Sequence, residues 1–217
     1  MHAEGAPGRP SNPRVRVTQT DDEIQEKYLE RAIRELGHLN HEIQDCRRCP
    51  RGELMPVLGS GHPQADVVLL KYAPTRAEVE EGVAFYGRAG NALIKSLGRL
   101  AIDPLVVYGT LWVKCPVADV SLSAPACRAR VVEELAIVAP RIVVVMGEPA
   151  LAELNAAGVP LARDIEATPG RVQELTPSCA ALWVPDIDRS LDEEGAKRDF
   201  WRAFRALGDW YADLPPY

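Results

Sequence analysis

The run Arg141-Ile142-Val143-Val144-Val145-Met146-Gly147 decides the fold. Its apolar stretch is continuous, with none of the alternation of a strand that has one face in water. Such a strand belongs in a parallel sheet covered by helices on both faces. Gly147 ends it, and Pro149 is well placed for the first turn of the next helix. Working outward, residues 66–70 (DVVLL), 105–113 and 181–184 read as three more strands. Residues 89–100 are amphipathic, with Leu93, Leu97 and Leu100 on one side. Residues 124–138 read as a helix with Cys127 in its first turn, and residues 193–207 as a final helix with Phe200, Trp201 and Phe204 facing inward. Upstream, Thr20-Asp21-Asp22 is a cap signal ahead of Ile24, Tyr28, Ala32 and Leu36 at four-residue steps. Strands alternating with helices predict an α/β fold: three αβα layers around a central, mostly parallel four-stranded sheet. Ligands of such sheets gather at the carboxyl ends of the strands, here residues 72–75, 110–115, 147 and 185–188.

The chain length of 217 residues suits one domain over residues 21–217, preceded by a Pro-, Gly- and Arg-rich stretch, residues 1–20, that reads as a mobile tail. A net charge of -6 argues against polyanion binding by the whole surface and leaves room for a local basic patch. No run of about twenty apolar residues is present, so no membrane span is expected. The start lacks the apolar core of a secretory signal. The expectation is a reducing cytoplasm, where paired cysteines hold metal more often than disulfides.

Four of the five cysteines fall as Cys46-x-x-Cys49, Cys115 and Cys127. A pair two residues apart lets two thiolates converge on one centre, and four thiolates suit zinc or an iron–sulfur cluster. The alternatives are buried free thiols or a disulfide. Asp45, Arg47, Arg48 and Arg51 around the first pair are poor company for a core. Arg47, Arg48 and Arg51, with Lys114, Arg128 and Arg130 near the other two cysteines, form either a basic rim for phosphates or simply solvated charge. Cys179 follows Pro177-Ser178, a turn or strand start, and carries no assigned role.

From about residue 43 to 207 the chain resembles the iron–sulfur families of the uracil-DNA glycosylase superfamily. Cys46-Arg47-Arg48-Cys49 matches the opening C-x-x-C. Ala73-Pro74 matches the A-P-G loop, and Ala84-Phe85-Tyr86-Gly87-Arg88-Ala89-Gly90 the P-F-x-G-x-A-G element. Val113-Lys114-Cys115-Pro116, with Cys127 beyond, matches V-K-C and the last ligand, and residues 139–147 match the A-P-x-I-I-V-x-x-G strand. The resemblance implies a 4Fe–4S cluster on Cys46, Cys49, Cys115 and Cys127. It implies a monomer that binds DNA in base excision repair and hydrolyses the N-glycosidic bond of a flipped-out base. Phe85 would stack that base, with Ala73, Pro74, Tyr86 and Leu111 around it.

The sequence also departs from the family. Leu111 stands where the base-reading Asn belongs, Tyr72 replaces the acid of G-E-x-P-G, and Thr75 replaces its last Gly. No histidine follows His62, so the late H-P-S motif is absent; its region reads Pro185-Asp186-Ile187-Asp188. Removing one preorganised donor costs about 10²–10³ in rate. The expectation is weak or altered cleavage, with Asp186, Asp188 and Tyr72 as substitute catalytic groups. The alternatives are a catalytically inactive module that binds DNA, a base or a protein, and a zinc-stabilised structural domain. A turn pair for the two aspartates and core packing for Phe85 are the bland readings.

Overall fold

The computed structural model describes residues 21–214. The expected tail, and with it Thr20 of the first cap signal, lies outside the described residues. The deciding run forms β4 (Ile142–Met146), buried along its whole length. It pairs in parallel with β2 (Val67–Lys71) on one side and β6 (Cys179–Val184) on the other, and β2 pairs in parallel with β3 (Val107–Leu111). These are the four expected strands. Two more extend the sheet: β1 (Ser60–Gly61) runs antiparallel to β3, and β5 (Val172–Thr176) antiparallel to β6. The full order is β1-β3-β2-β4-β6-β5. Both additions are edge strands, one only two residues long and the other the half-exposed VQELT, so neither shows the apolar run of a buried strand.

Alternate strand residues feed two separate cores. Val68, Leu70, Val143 and Val145 pack under α1 (Asp21–Asp45), α4 (Val120–Val138) and α5 (Glu148–Asn155). Val67, Leu69, Val144, Met146 and Leu182 pack under α3 (Arg88–Arg99) and α7 (Glu194–Ala212), through Leu93, Leu97, Phe200, Phe204 and Leu207. The three layers are those expected. No described helix is long and apolar enough to cross a membrane.

Three details differ from expectation. On α1 the buried stripe is Ala32, Leu36, Leu39 and Ile43, while Ile24 and Tyr28 are exposed. Four-residue steps drift around a helix of 3.6 residues per turn, and only the later 4-3-4 spacing stays on one face. Helix α4 starts at Val120, because Asp119 caps it by accepting the Ser121 N–H at 3.0 Å. Cys127 therefore lies two turns inside the helix rather than in its first turn. The stretch around Asp186 is not a plain turn: it starts α6 (Ile187–Asp192), and a further short helix, α2 (Arg76–Glu81), follows Pro74-Thr75.

Candidate base pocket and metal centre

Phe85 is a built feature of the fold. Its backbone is left-handed, at φ 59°. Its N–H is accepted by Glu78 Oε1 at 2.5 Å, and a side chain at position 90 would collide with its carbonyl oxygen. Gly109 makes room for the ring: a Cβ there would stand 2.6 Å from Phe85 Cδ2. Leu111, at the position expected to read a base, is fully buried with Val57 and Ala84 and packs against Phe85. Its side chain has no hydrogen-bonding group to offer. Tyr86, next in sequence, is half-exposed, while Ala73 and Pro74 are half-buried at the β2 exit.

Of the three linked polar groups here, Asp188 was expected, while Lys71 and Glu78 are ones the sequence reading missed. Lys71 ends β2 and is 1% exposed, with Nζ 2.7 Å from Glu78 Oε2 and 2.7 Å from Asp188 Oδ2. The same ammonium lies 5.6 Å from the Phe85 ring centroid. Glu78 is wholly buried and also accepts the Thr75 N–H at 2.7 Å and hydroxyl at 2.8 Å, a capping box at the start of α2. Asp188 is the member of this triad open to solvent, at 32%. Burial raises its carboxyl above the ordinary range, the Lys71 charge and hydrogen bond pull it back, and Asp186 and Glu78 add to the rise. Both missed residues leave a trace in the sequence. Lys71 shares the inward face of Val67 and Leu69, where a charge needs a partner. Thr75-x-x-Glu78 is the capping-box spacing.

The other two substitute catalytic groups lie elsewhere. Asp186 is the N-cap of α6, its Oδ1 accepting the Arg189 N–H at 2.9 Å, and its Cβ packs against Gly147. Tyr72 points to the opposite side of the sheet from Lys71, because successive strand residues alternate, and packs against the core beneath α4 and α5. Burial and the charges of Glu153 and Asp119 raise its phenol pKa. Of the three, Asp188 is the one bonded to Lys71, whose ammonium lies over the Phe85 ring.

The four cysteines meet. Cys46 follows the end of α1, Cys115 follows the β3 exit, Cys127 is on α4, and with Cys49 they line one small cavity beside Ile43 and Ala126. Cys115, Cys127 and Cys49 are within hydrogen-bonding reach of one another. The contact between Cys115 and Cys127 raises the thiol pKa of Cys115 and, with the Lys114 N–H, lowers that of Cys127. Among the described residues no group of three or more His, Cys, Asp or Glu has the arrangement that holds a single metal ion. The donor set around the cavity is four soft thiols, the chemistry that suits zinc or an iron–sulfur cluster. Cys179 lies apart at the start of β6, its thiol pushed up to about 11 by burial.

The expected basic rim is mostly spent inside the protein. Arg51 is 5% exposed and donates to the carbonyls of Leu54, Gln44 and Cys46, bracing the loop of the first cysteine pair. Lys114 is buried, 2.7 Å from Glu134 Oε2, and donates to Thr110 Oγ1 at 2.6 Å; Tyr108 and Thr110 donate to the same carboxylate. Neither side chain can reach a phosphate. Arg130 pairs with Glu42, and Arg128 lies 3.7 Å from Glu153. Arg47 and Arg48 are exposed.

The family model of the uracil DNA glycosylase superfamily matches residues 58–203. The type-4 uracil-DNA glycosylase of Archaeoglobus fulgidus is 29% identical over 118 residues, 52% of this chain and 59% of that protein. That of Sulfurisphaera tokodaii is 28% identical over 122 residues, 52% of this chain and 54% of that protein. The matched segment thus spans little more than half the length of either relative.

Proposed function

This chain belongs to the uracil DNA glycosylase superfamily, and we propose that it binds DNA and hydrolyses the N-glycosidic bond of uracil or another damaged base, at a reduced or altered rate. The observation that carries the reading is the seat of Phe85, held by Glu78 and cleared by Gly109, with the carboxylate of Asp188 joined to it through Lys71. A flipped base stacks on Phe85. As the C1′–N bond breaks, both electrons leave with the base. The ionised Asp188 stabilises the cation-like sugar and accepts a proton from the water that adds to C1′. The leaving base is then protonated from solvent. Leu111 supplies no donor to the anionic base, and this sets the low rate.

Cys46, Cys49, Cys115 and Cys127 would hold the 4Fe–4S cluster of our reading. When bound it supplies a cross-link between the loop after α1, the β3 exit and α4. Iron and sulfide analysis with absorption near 400 nm tests this against a colourless zinc protein. The basic contacts to DNA narrow to Arg47 and Arg48, with Arg128 and Arg130 available only at the expense of their ion pairs. A second reading, a binding module that no longer cleaves, is favoured by the buried Leu111 at the base-reading position. Single-turnover incubation of single-stranded DNA carrying uracil, hypoxanthine or xanthine with excess protein separates the two. Product from at least one lesion supports the enzyme; none from any supports the module.

A further inference from the structure

We propose that the buried ammonium of Lys71, with Glu78 as its counter-ion, is a positioning device, fixing the Asp188 carboxylate relative to the Phe85 ring. The inference rests on the glycosylase reading and deepens it, since it names what holds the two groups that would touch substrate.

Three links run in series. The Phe85 N–H is held by Glu78 Oε1 at 2.5 Å, Glu78 Oε2 by Lys71 Nζ at 2.7 Å, and the same Nζ holds Asp188 Oδ2 at 2.7 Å. They join four segments distant in sequence: the end of β2, the first turn of α2, the loop carrying Phe85, and α6. Lys71 and Glu78 are at 1% and 0% exposure, so neither can meet substrate, whereas Asp188 is open to solvent. A buried charge without a partner is costly, so Asp188 cannot swing away without leaving Lys71 with one carboxylate in place of two. A triad that served packing alone could be replaced by apolar side chains at little cost. Its place at the carboxyl end of a central parallel strand, where this class of sheet binds ligands, points to use. The groups facing Asp188 are Lys71 from β2, Glu78 from α2 and Asp186 from the preceding loop, while Arg88 of α3 pairs with Asp192 at the far end of α6.

The test combines Lys71→Met, Lys71→Met/Glu78→Gln and Asp188→Asn. The double variant removes the orphaned Glu78 charge should the single one fail to fold. Two readouts are taken: the pH profile of single-turnover cleavage, and the titration of the Asp188 carboxyl followed by carbon-13 NMR. Loss of the neighbouring cation disfavours the carboxylate, so the Asp188 titration and the acid limb of the profile should both move to higher pH. Loss of Glu78 acts the other way and more weakly, since it is the smaller influence on Asp188. At neutral pH the rate should fall about 10- to 100-fold, as expected when a reacting group is misplaced by about 1 Å, and recover in part as pH rises. Asp188→Asn should remove the limb. A folded double variant in which Asp188 titrates as in wild type overturns the proposal. Wild-type protein that cleaves no lesion would overturn the glycosylase reading instead, and the NMR arm would still decide the positioning role.

Discussion

Replacing Gly109 with Ala should displace the Phe85 ring, and the structure sets the size of the effect. The new Cβ would lie 2.6 Å from Cδ2 and 3.1 Å from Cε2, against the 3.4 Å at which ordinary contact begins. The ring must retreat by about 0.8 Å, the gap between 2.6 and 3.4 Å. It cannot take the backbone along, because Glu78 holds the Phe85 N–H and position 90 crowds its carbonyl. Overpacking of this kind costs about 1–3 kcal/mol. Alanine recovers roughly 0.5–1 kcal/mol over glycine inside a strand, which leaves a net loss between about 0 and about 2.5 kcal/mol. Displacing the stacking surface by nearly 1 Å should lower single-turnover cleavage by up to about 10². Urea unfolding and cleavage would be measured for Gly109→Ala, Phe85→Ala and the double variant. With the ring gone, Gly109→Ala should be neutral or stabilising, so the two changes should be strongly non-additive. If Gly109→Ala costs as much without the ring as with it, the clash is not with Phe85 and the reasoning fails.

Two further outcomes are expected. Glu134→Gln leaves the buried Lys114 ammonium without its charge partner and weakens the acceptor shared by Tyr108 and Thr110; breaking a buried pair this way should cost about 3–5 kcal/mol in urea unfolding, and a loss below about 1 kcal/mol would show the pair to be inert. Serine at Cys46, Cys49, Cys115 or Cys127 should reduce bound iron and the absorption near 400 nm, while Cys179→Ser should leave both unchanged; iron loss from the Cys179 variant, or retention in all four others, would contradict the ligand set.

The central layer of the fold was legible because parallel strands buried on both faces must be continuous apolar runs, as in residues 142–146 and 67–70. The edge strands were not, since half-exposed segments such as Val172–Thr176 carry no such demand. The cysteine set and Phe85 were legible as motif residues, and the structure gathers the former around one cavity and gives the latter a dedicated seat. The charges were read less well. Arg51 and Lys114 looked like surface cations, yet backbone carbonyls and Glu134 draw them into the interior. Sequence neighbours could not reveal those partners, because Glu134 lies 20 residues from Lys114. Tyr72 and Lys71 face opposite sides of the sheet for a simple reason. Alternation carried one residue past the end of β2 turns Tyr72 toward α4 and α5, while Lys71 faces Phe85. Asp186 and Asp188, equivalent on paper, were separated by the start of α6, which uses the first as a cap and turns the second toward Lys71.

The most direct test of the central claim is single-turnover cleavage of a uracil-containing single strand at excess protein, comparing wild type with Asp188→Asn and Phe85→Ala. The account predicts slow but complete conversion by wild type and a loss of about 10²-fold or more in each variant. Wild-type cleavage that neither substitution slows would contradict it, because the reaction would then be taking place away from Phe85 and Asp188.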